Sequence, residues 1–219
     1  MEFEIKKEEM KNIKEFKNKT FREYKKNDLR YFLEIKGNDI FVSSRKVSYE
    51  DLSLDSIFNT SKGVFYAQDE GEFGGYLYKV NKRKYDFVFN GNFKELIDYK
   101  DKLFYIESCA HMCGHFSYGF IEELDDHYTI ESLKEIIGEY SIEAFKEDDS
   151  IYILTCSSLY KFDGINLDKL LELKNSPLNN FRGMSVGNII VKDGFMYIGL
   201  CKRICVINLD SLDISFLGE

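Results

Sequence analysis

At 219 residues, 44% hydrophobic and 31% charged, the chain has the length and balance of one globular domain with a sizeable core. A net charge of −8 argues against general nucleic-acid binding, because a diffuse acidic surface repels a phosphate backbone. No apolar run reaches the length of a membrane span, and the opening Met1-Glu2-Phe3-Glu4 has no apolar signal region. A cytoplasmic protein with no membrane partner is therefore expected.

Residues 1–30 carry ten Lys or Arg against seven Asp or Glu, so the rest of the chain is strongly acidic, with 20 against 31. Such a body attracts a basic partner, although solubility alone also accounts for it. Met10, Ile13, Phe16 and Tyr24 recur at roughly helical spacing and predict one short amphipathic helix over Lys7–Lys19. Phe3 and Ile5 before it read as a short alternating strand.

From Leu29 the pattern changes to short strands and tight turns. Tyr31–Ile35, Gly37-Asn38-Asp39 and Ile40–Val42 read as a hairpin, since Gly and Asn tolerate the positive φ of a tight turn. Strands follow at Leu54–Phe58, Val64–Ala67, Gly75–Val80, Tyr85–Phe89, Leu96–Tyr99, Leu103–Ser108 and Phe116–Leu124. Further strands fall at Ser141–Phe145, Ile151–Thr155, Leu159–Phe162, Leu170–Leu173, Asn188–Val191, Phe195–Leu200, Ile204–Leu209 and Leu212–Leu217. Glu131–Gly138 fits either a helical turn or an outer strand, and 175–187 is a polar insertion holding the single Pro. Aromatic residues make up 16% of the chain, which suits pleated surfaces.

One pattern recurs. Tyr105-Ile106-Glu107-Ser108-Cys109, Tyr152-Ile153-Leu154-Thr155-Cys156 and Tyr197-Ile198-Gly199-Leu200-Cys201 are each Tyr-Ile-x-x-Cys, with a fainter copy at Phe65-Tyr66-Ala67. Tyr66, Tyr105, Tyr152 and Tyr197 stand 39, 47 and 45 residues apart, the spacing of a repeat architecture with one small sheet per period. A single meander cannot bury both its faces, so copies must pack on one another.

Asp193-Gly194-Phe195-Met196-Tyr197-Ile198-Gly199 followed by Cys205–Asp210, and Ser150–Ile153 followed by Leu159–Gly164, resemble blades of quinoprotein- or kelch-like β-propellers. The resemblance covers roughly residues 29–217. It implies an all-β fold, a five-bladed β-propeller over 29–219 with a short N-terminal strand/helix segment over 1–28. It further implies that the N-terminal strand covers the free edge of the last blade. A sandwich of stacked sheets is the competing all-β arrangement.

The densest chemical stretch is Cys109-Ala110-His111-Met112-Cys113-Gly114-His115. Cys109, His111, Cys113 and His115 are zinc-ligand types, but the one-residue gaps differ from the usual spacing. In an extended strand they would stand about 7 Å apart on one face, too far for one ion. An ordinary polar loop with packed thiols and no cofactor is the expectation, zinc being the alternative. A Cys–His nucleophile would use the same residues but lacks a defined third group. Five Cys, an odd number, fit reduced thiols.

The resemblance places this stretch on one loop face with Asp69, Glu70, Glu72, His111, His115, Lys202 and Arg203, joined by Phe181 and Arg182 of the insertion. Mixed charge and aromatics there suit recognition of another protein, although such residues are also ordinary solvated loop tips. The expected function is a non-enzymatic interaction protein, of inhibitor or immunity type, with a basic protein as partner. The alternative is a hydrolase, glycosidase-like or metal-dependent, with its site in a central pocket. A glycosidase needs two carboxylates about 5–9.5 Å apart, and no pair stands out in the sequence.

Overall fold

The computed structural model describes residues 11–15, 17–18, 29–46, 55–110, 114–124, 127–173 and 186–218. It divides into two compact units, Met1–Leu52 with Gly183–Glu219, and Ser53–Arg182.

In chain order, the first unit opens with β1 (Lys11–Asn12), a 3-10 turn at Ile13–Glu15, β2 (Lys17–Asn18), β3 (Leu29–Lys36) and β4 (Asp39–Lys46). The second unit contains β5 (Ser56–Thr60), β6 (Gly63–Asp69), β7 (Gly75–Asn81) and β8 (Lys84–Asn90). It continues with β9 (Phe93–Tyr99), β10 (Lys102–Cys109), β11 (His115–Leu124) and β12 (His127–Ile137), then β13 (Ser141–Glu147), β14 (Ser150–Thr155), β15 (Ser158–Phe162) and β16 (Leu167–Glu172). The first unit is completed by β17 (Ile189–Lys192), β18 (Phe195–Leu200), β19 (Arg203–Asn208) and β20 (Ile214–Gly218).

All pairings are antiparallel and mostly between chain neighbours. The sheets run β5-β6-β7-β8, β12-β11-β10-β9, β13-β14-β15-β16, β17-β18-β19-β20-β2 and β1-β4-β3. The turns follow from local chemistry. Gly37 at φ 61° starts the β3–β4 turn, and Lys100, Asp148 and Asp193 take φ of 52–54° at the first position of their two-residue turns. Positive φ at that position matches the right-handed twist of the joined strands.

The second unit is built around its middle sheet. Leu103-Phe104-Tyr105-Ile106 in β10 is an unbroken buried run, because both faces of this sheet are covered. Leu103 and Tyr105 join Phe65, Leu77, Phe93 and Ile121 in a core with the β5–β8 sheet. Phe104 and Ile106 join Phe116, Ile151, Ile153 and Phe162 in a core with the β13–β16 sheet. Gly119 of β11 lets β12 come close, since a Cβ there would fall inside the radius of the Glu131 carbonyl. In the first unit, Tyr31, Leu33, Ile40 and Val42 pack against Ile204 and Val206.

Two expectations are corrected. The five-bladed propeller is not found: among the described residues the strands form five separate open sheets and none closes, and the chain divides into two units. Alternating apolar residues and turn signals specify each meander locally, but nothing in that recurrence dictates a ring. The all-β class stands. The helix over Lys7–Lys19 is also absent wherever its residues are described. Asn12 Oδ1 accepts the Lys14 N–H at 3.0 Å, and Glu15 Oε1 accepts the Asn12 N–H at 3.1 Å. Such side-chain-to-backbone bonds compete with helical ones. An N-terminal segment does cover the outer edge of β20, through Lys17–Asn18; Phe3 and Ile5 lie outside the described residues.

Candidate functional site

Polar side chains gather in the second unit where β6 ends, β9 begins and the β10–β11 hairpin turns. Asp69, 8% exposed, closes β6 and accepts the Gly71 N–H at 2.7 Å through Oδ1. Its other oxygen contacts the Lys94 ammonium. Lys94 is the extra residue of a β-bulge, since Phe93 and Glu95 pair with the adjacent Glu107 and Ile106. A bulge re-aims side chains, which brings Lys94 to a carboxylate 25 residues earlier. Burial pulls the Lys94 ammonium below its usual range, and the neighbouring Cys109 opposes that pull.

Asn92 sits beside this pair and is 6% exposed. Its carbonyl accepts the Ser108 N–H at 2.9 Å, and its side-chain NH2 donates to the Gly71 carbonyl. Its Oδ1 finds no donor among the described residues. Ser108 Oγ donates to the His115 carbonyl at 3.2 Å and accepts the Ser141 N–H at 2.9 Å. Glu107 accepts from the Asn92 backbone and from the Ser117 hydroxyl, both at 3.3 Å.

A second cluster surrounds Glu139, whose residue is 9% exposed. Its oxygens accept from Thr155 at 2.5 Å, Ser158 and Tyr160 at 3.0 Å each, and Lys169 at 2.8 Å. Burial alone would raise this carboxyl, but Lys169 and the three hydroxyls hold it below the usual range. Three of these bonds fall on Oε1 and one, from Thr155, on Oε2.

A third feature is a pair of glutamates with no cationic partner among the described residues. Glu95 on β9 is pushed up to about 8 by burial and by Glu143, against one favourable N–H from Ala144. Glu143 on β13 is pushed up to about 7 by burial. Each directly follows a bulge residue, Lys94 and Ile142 respectively.

The sequence-predicted residues are partly brought together. Cys109 and His115 stand opposite each other across the β10–β11 ladder, on either side of the segment expected to be a polar loop. His111 and Cys113 lie outside the described residues, as do Phe181 and Arg182. Among the described residues no three metal-ligand types cluster. Asp69 is a buried ion-pair partner instead of a loop tip, and Glu70 is exposed and hydrogen-bonded to Gln68. Glu72 falls in the 3-10 turn Gly71–Phe73. In the other unit Lys202 is an exposed turn residue at φ 53°, whereas Arg203 is only 6% exposed at the start of β19. Cys205 is fully buried and its thiol is pushed up to about 12, as befits a packing residue. Sequence reasoning missed Asn92, Lys94, Glu95, Glu139 and Glu143. Phe-Lys-Glu-Leu and Ser-Ile-Glu-Ala share one available signal, a glutamate at the start of an inward strand.

No family model matches the chain, and no curated protein matches it either. Among solved structures, a puromycin-hydrolyzing peptidase of Mycobacterium tuberculosis is similar at 11% identity and a TM-score of 0.42, over 86% of this chain and 31% of that one. The chain therefore spans under a third of that protein's length, and a likeness at this level carries no argument about fold or chemistry.

Proposed function

We propose that the chain is a non-enzymatic binding protein, cytoplasmic and built from recurring meanders, that contacts another protein through the polar end of the second unit. The observation that carries this reading is how charge is used there. Asp69 is matched by Lys94, Glu107 by Ser117 and the Asn92 N–H, and the side-chain atoms of the cluster left over among the described residues are neutral, Asn92 Oδ1 and the Ser141 hydroxyl. Paired charges and a buried, fixed acceptor favour hydrogen-bond recognition over proton transfer. In support of the repeat reading, Phe65–Ala67 and the three Tyr-Ile stretches occupy the second strand of their respective meanders. The acidic surface favours a basic partner, as an inhibitor or immunity-type protein would have.

The test is affinity capture from the native cell with two baits, the parent and a Glu70→Lys/His115→Ala double variant. A protein held by the parent and lost by the variant supports the reading. Recovery of the same proteins by both baits, or of a small molecule in the purified chain, overturns it.

The Glu95–Glu143 pair favours a second reading, a hydrolase. One carboxyl kept protonated near neutral pH beside an ionisable neighbour is the arrangement of a general acid and its partner. Turnover of aryl glycosides by the parent, abolished in Glu95→Gln, would establish it.

A further inference from the structure

The β5–β8 sheet has one face in the core and one toward solvent. Phe65, Ala67 and Leu77 point inward. The residues alternating with them, Tyr66, Tyr76 and Tyr78, lie on the other face. Register places Tyr66 opposite Tyr78, Tyr78 opposite Phe87, and Val80 opposite Tyr85, so five rings gather on three adjacent strands. Tyr66 and Tyr78 stack at 25° with centroids 6.2 Å apart. Tyr85 stands across both, at 67° to Tyr66 over 5.6 Å and at 85° to Tyr78 over 6.2 Å. Phe87 meets Tyr78 at 75° over 6.2 Å. Tyr85 is 61% exposed and Phe87 56% exposed, on the outer strand.

Elsewhere in the molecule several rings carry a cation. In three other sheets, aromatic rings have a cation over them. Lys36 covers Phe41, Arg45 covers Phe32, Lys102 covers Phe120, Lys161 covers Tyr152 and Lys169 covers Tyr160, at 4.8–5.7 Å from the ring centroids. Among the described residues, no Lys or Arg stands over Tyr66, Tyr76, Tyr78, Tyr85 or Phe87. A ring presents its negative face to a cation, and walls set at right angles present several faces to one charge.

We propose that this aromatic face is a docking site for the arginine or lysine side chains of a basic partner protein. Charge complementarity selects that occupant. Residues 53–182 carry 23 Asp or Glu against 14 Lys or Arg, a net charge of −9. Asp55 lies at the edge of the face and accepts the Tyr66 hydroxyl at 2.8 Å, which enriches that ring in negative charge. The cationic turn Lys82-Arg83-Lys84 lies at the opposite end of the sheet from Asp55, so the incoming cation sits toward Tyr66. The proposal shares with the binding reading only the premise of a basic protein partner. It concerns different residues, so either can fail without the other.

The test uses the full chain and two synthetic probes, hexa-arginine amide and its neutral isostere hexa-citrulline amide, titrated calorimetrically at low ionic strength. Tyr85→Leu/Phe87→Leu keeps apolar area but removes two ring faces, and both sites are exposed, so folding is preserved; the urea midpoint verifies that. Glu131→Gln/Glu135→Gln on β12 removes charge alone. The expected result is binding of the arginine peptide only, weakened about tenfold by the leucine pair and no more than about twofold by the glutamine pair. Single Tyr85→Leu should fall between. Binding by the leucine pair within twofold of the parent, equal binding of both peptides, or no binding by the parent would overturn the proposal.

Discussion

Replacing Glu95 by Gln should stabilise the protein at neutral pH and leave it unchanged in mild acid, the reverse of the usual effect of deleting a charge. The carboxyl titrates near 8 in the fold against an ordinary 4.5. Between those values the folded state holds a proton that the unfolded state has released. The folded state is therefore most favoured below about 4.5 and loses stability as pH rises through 7 toward 8. At about 1.4 kcal/mol per pH unit, keeping Glu95 protonated at pH 7 costs up to about 3 kcal/mol. Its side chain keeps part of its surface in water, which screens the effect, and about 1–2 kcal/mol is the expected size. Gln retains the shape and still accepts the Ala144 N–H, so the amide should recover that amount. Urea unfolding at pH 4 and pH 7 reads it directly: equal midpoints at pH 4, and at pH 7 a variant more stable by about 1–2 kcal/mol. Equal destabilisation at both pH values would mean an ionised, well-partnered carboxylate, and the reasoning would fail.

Glu139 should behave oppositely. Its carboxyl is held below the usual range, so its contribution is present above about 4.5 and lost as pH falls; Glu139→Gln should cost about 2–3 kcal/mol at pH 7 and show a flatter acid limb in pH-dependent unfolding. Gly119→Ala should force β12 away from β11, at about 1–3 kcal/mol, with faster amide exchange confined to those two strands. Phe104→Ala empties a fully buried site and should cost about 3–5 kcal/mol in urea titration. A chelator should leave the urea midpoint unchanged and Cys109→Ser should shift it by under about 1 kcal/mol; a chelator-sensitive midpoint that this substitution abolishes would establish a metal at the β10–β11 hairpin.

Most strands were legible because alternation and turn residues act over a few positions. The run Leu103–Ile106 and the turn at Lys100-Asp101 could be read without knowing what they would pack against. β12 was ambiguous for a physical reason. Leu133 is an extra residue between Ser132 and Lys134, which pair with Gly119 and Tyr118. That insertion breaks the two-residue period and leaves Ile130, Leu133 and Ile137 at helix-like spacing. Arrangement of the sheets was not legible, because identical meanders are compatible with several ways of packing. The candidate site was half legible. Asp69 and His115 fall in segments that read as polar loops, but Lys94 meets Asp69 only through a bulge and a sheet-to-sheet contact. Glu95 and Glu143 look like surface glutamates until β9 and β13 are laid side by side.

The second unit is an uninterrupted stretch of chain, whereas the first is assembled from the two ends. During synthesis every strand from β5 to β16 is made before β17, so all the strands of the second unit exist before the first unit is complete. Lys17–Asn18 is made before the second unit and can pair with Ile214–Gly218 only after that unit has been synthesised. Completion of the first unit thus depends on chain made on both sides of the second, and a chain halted after residue 182 would carry β1, β3 and β4 able to pair but β2 without its partner strand.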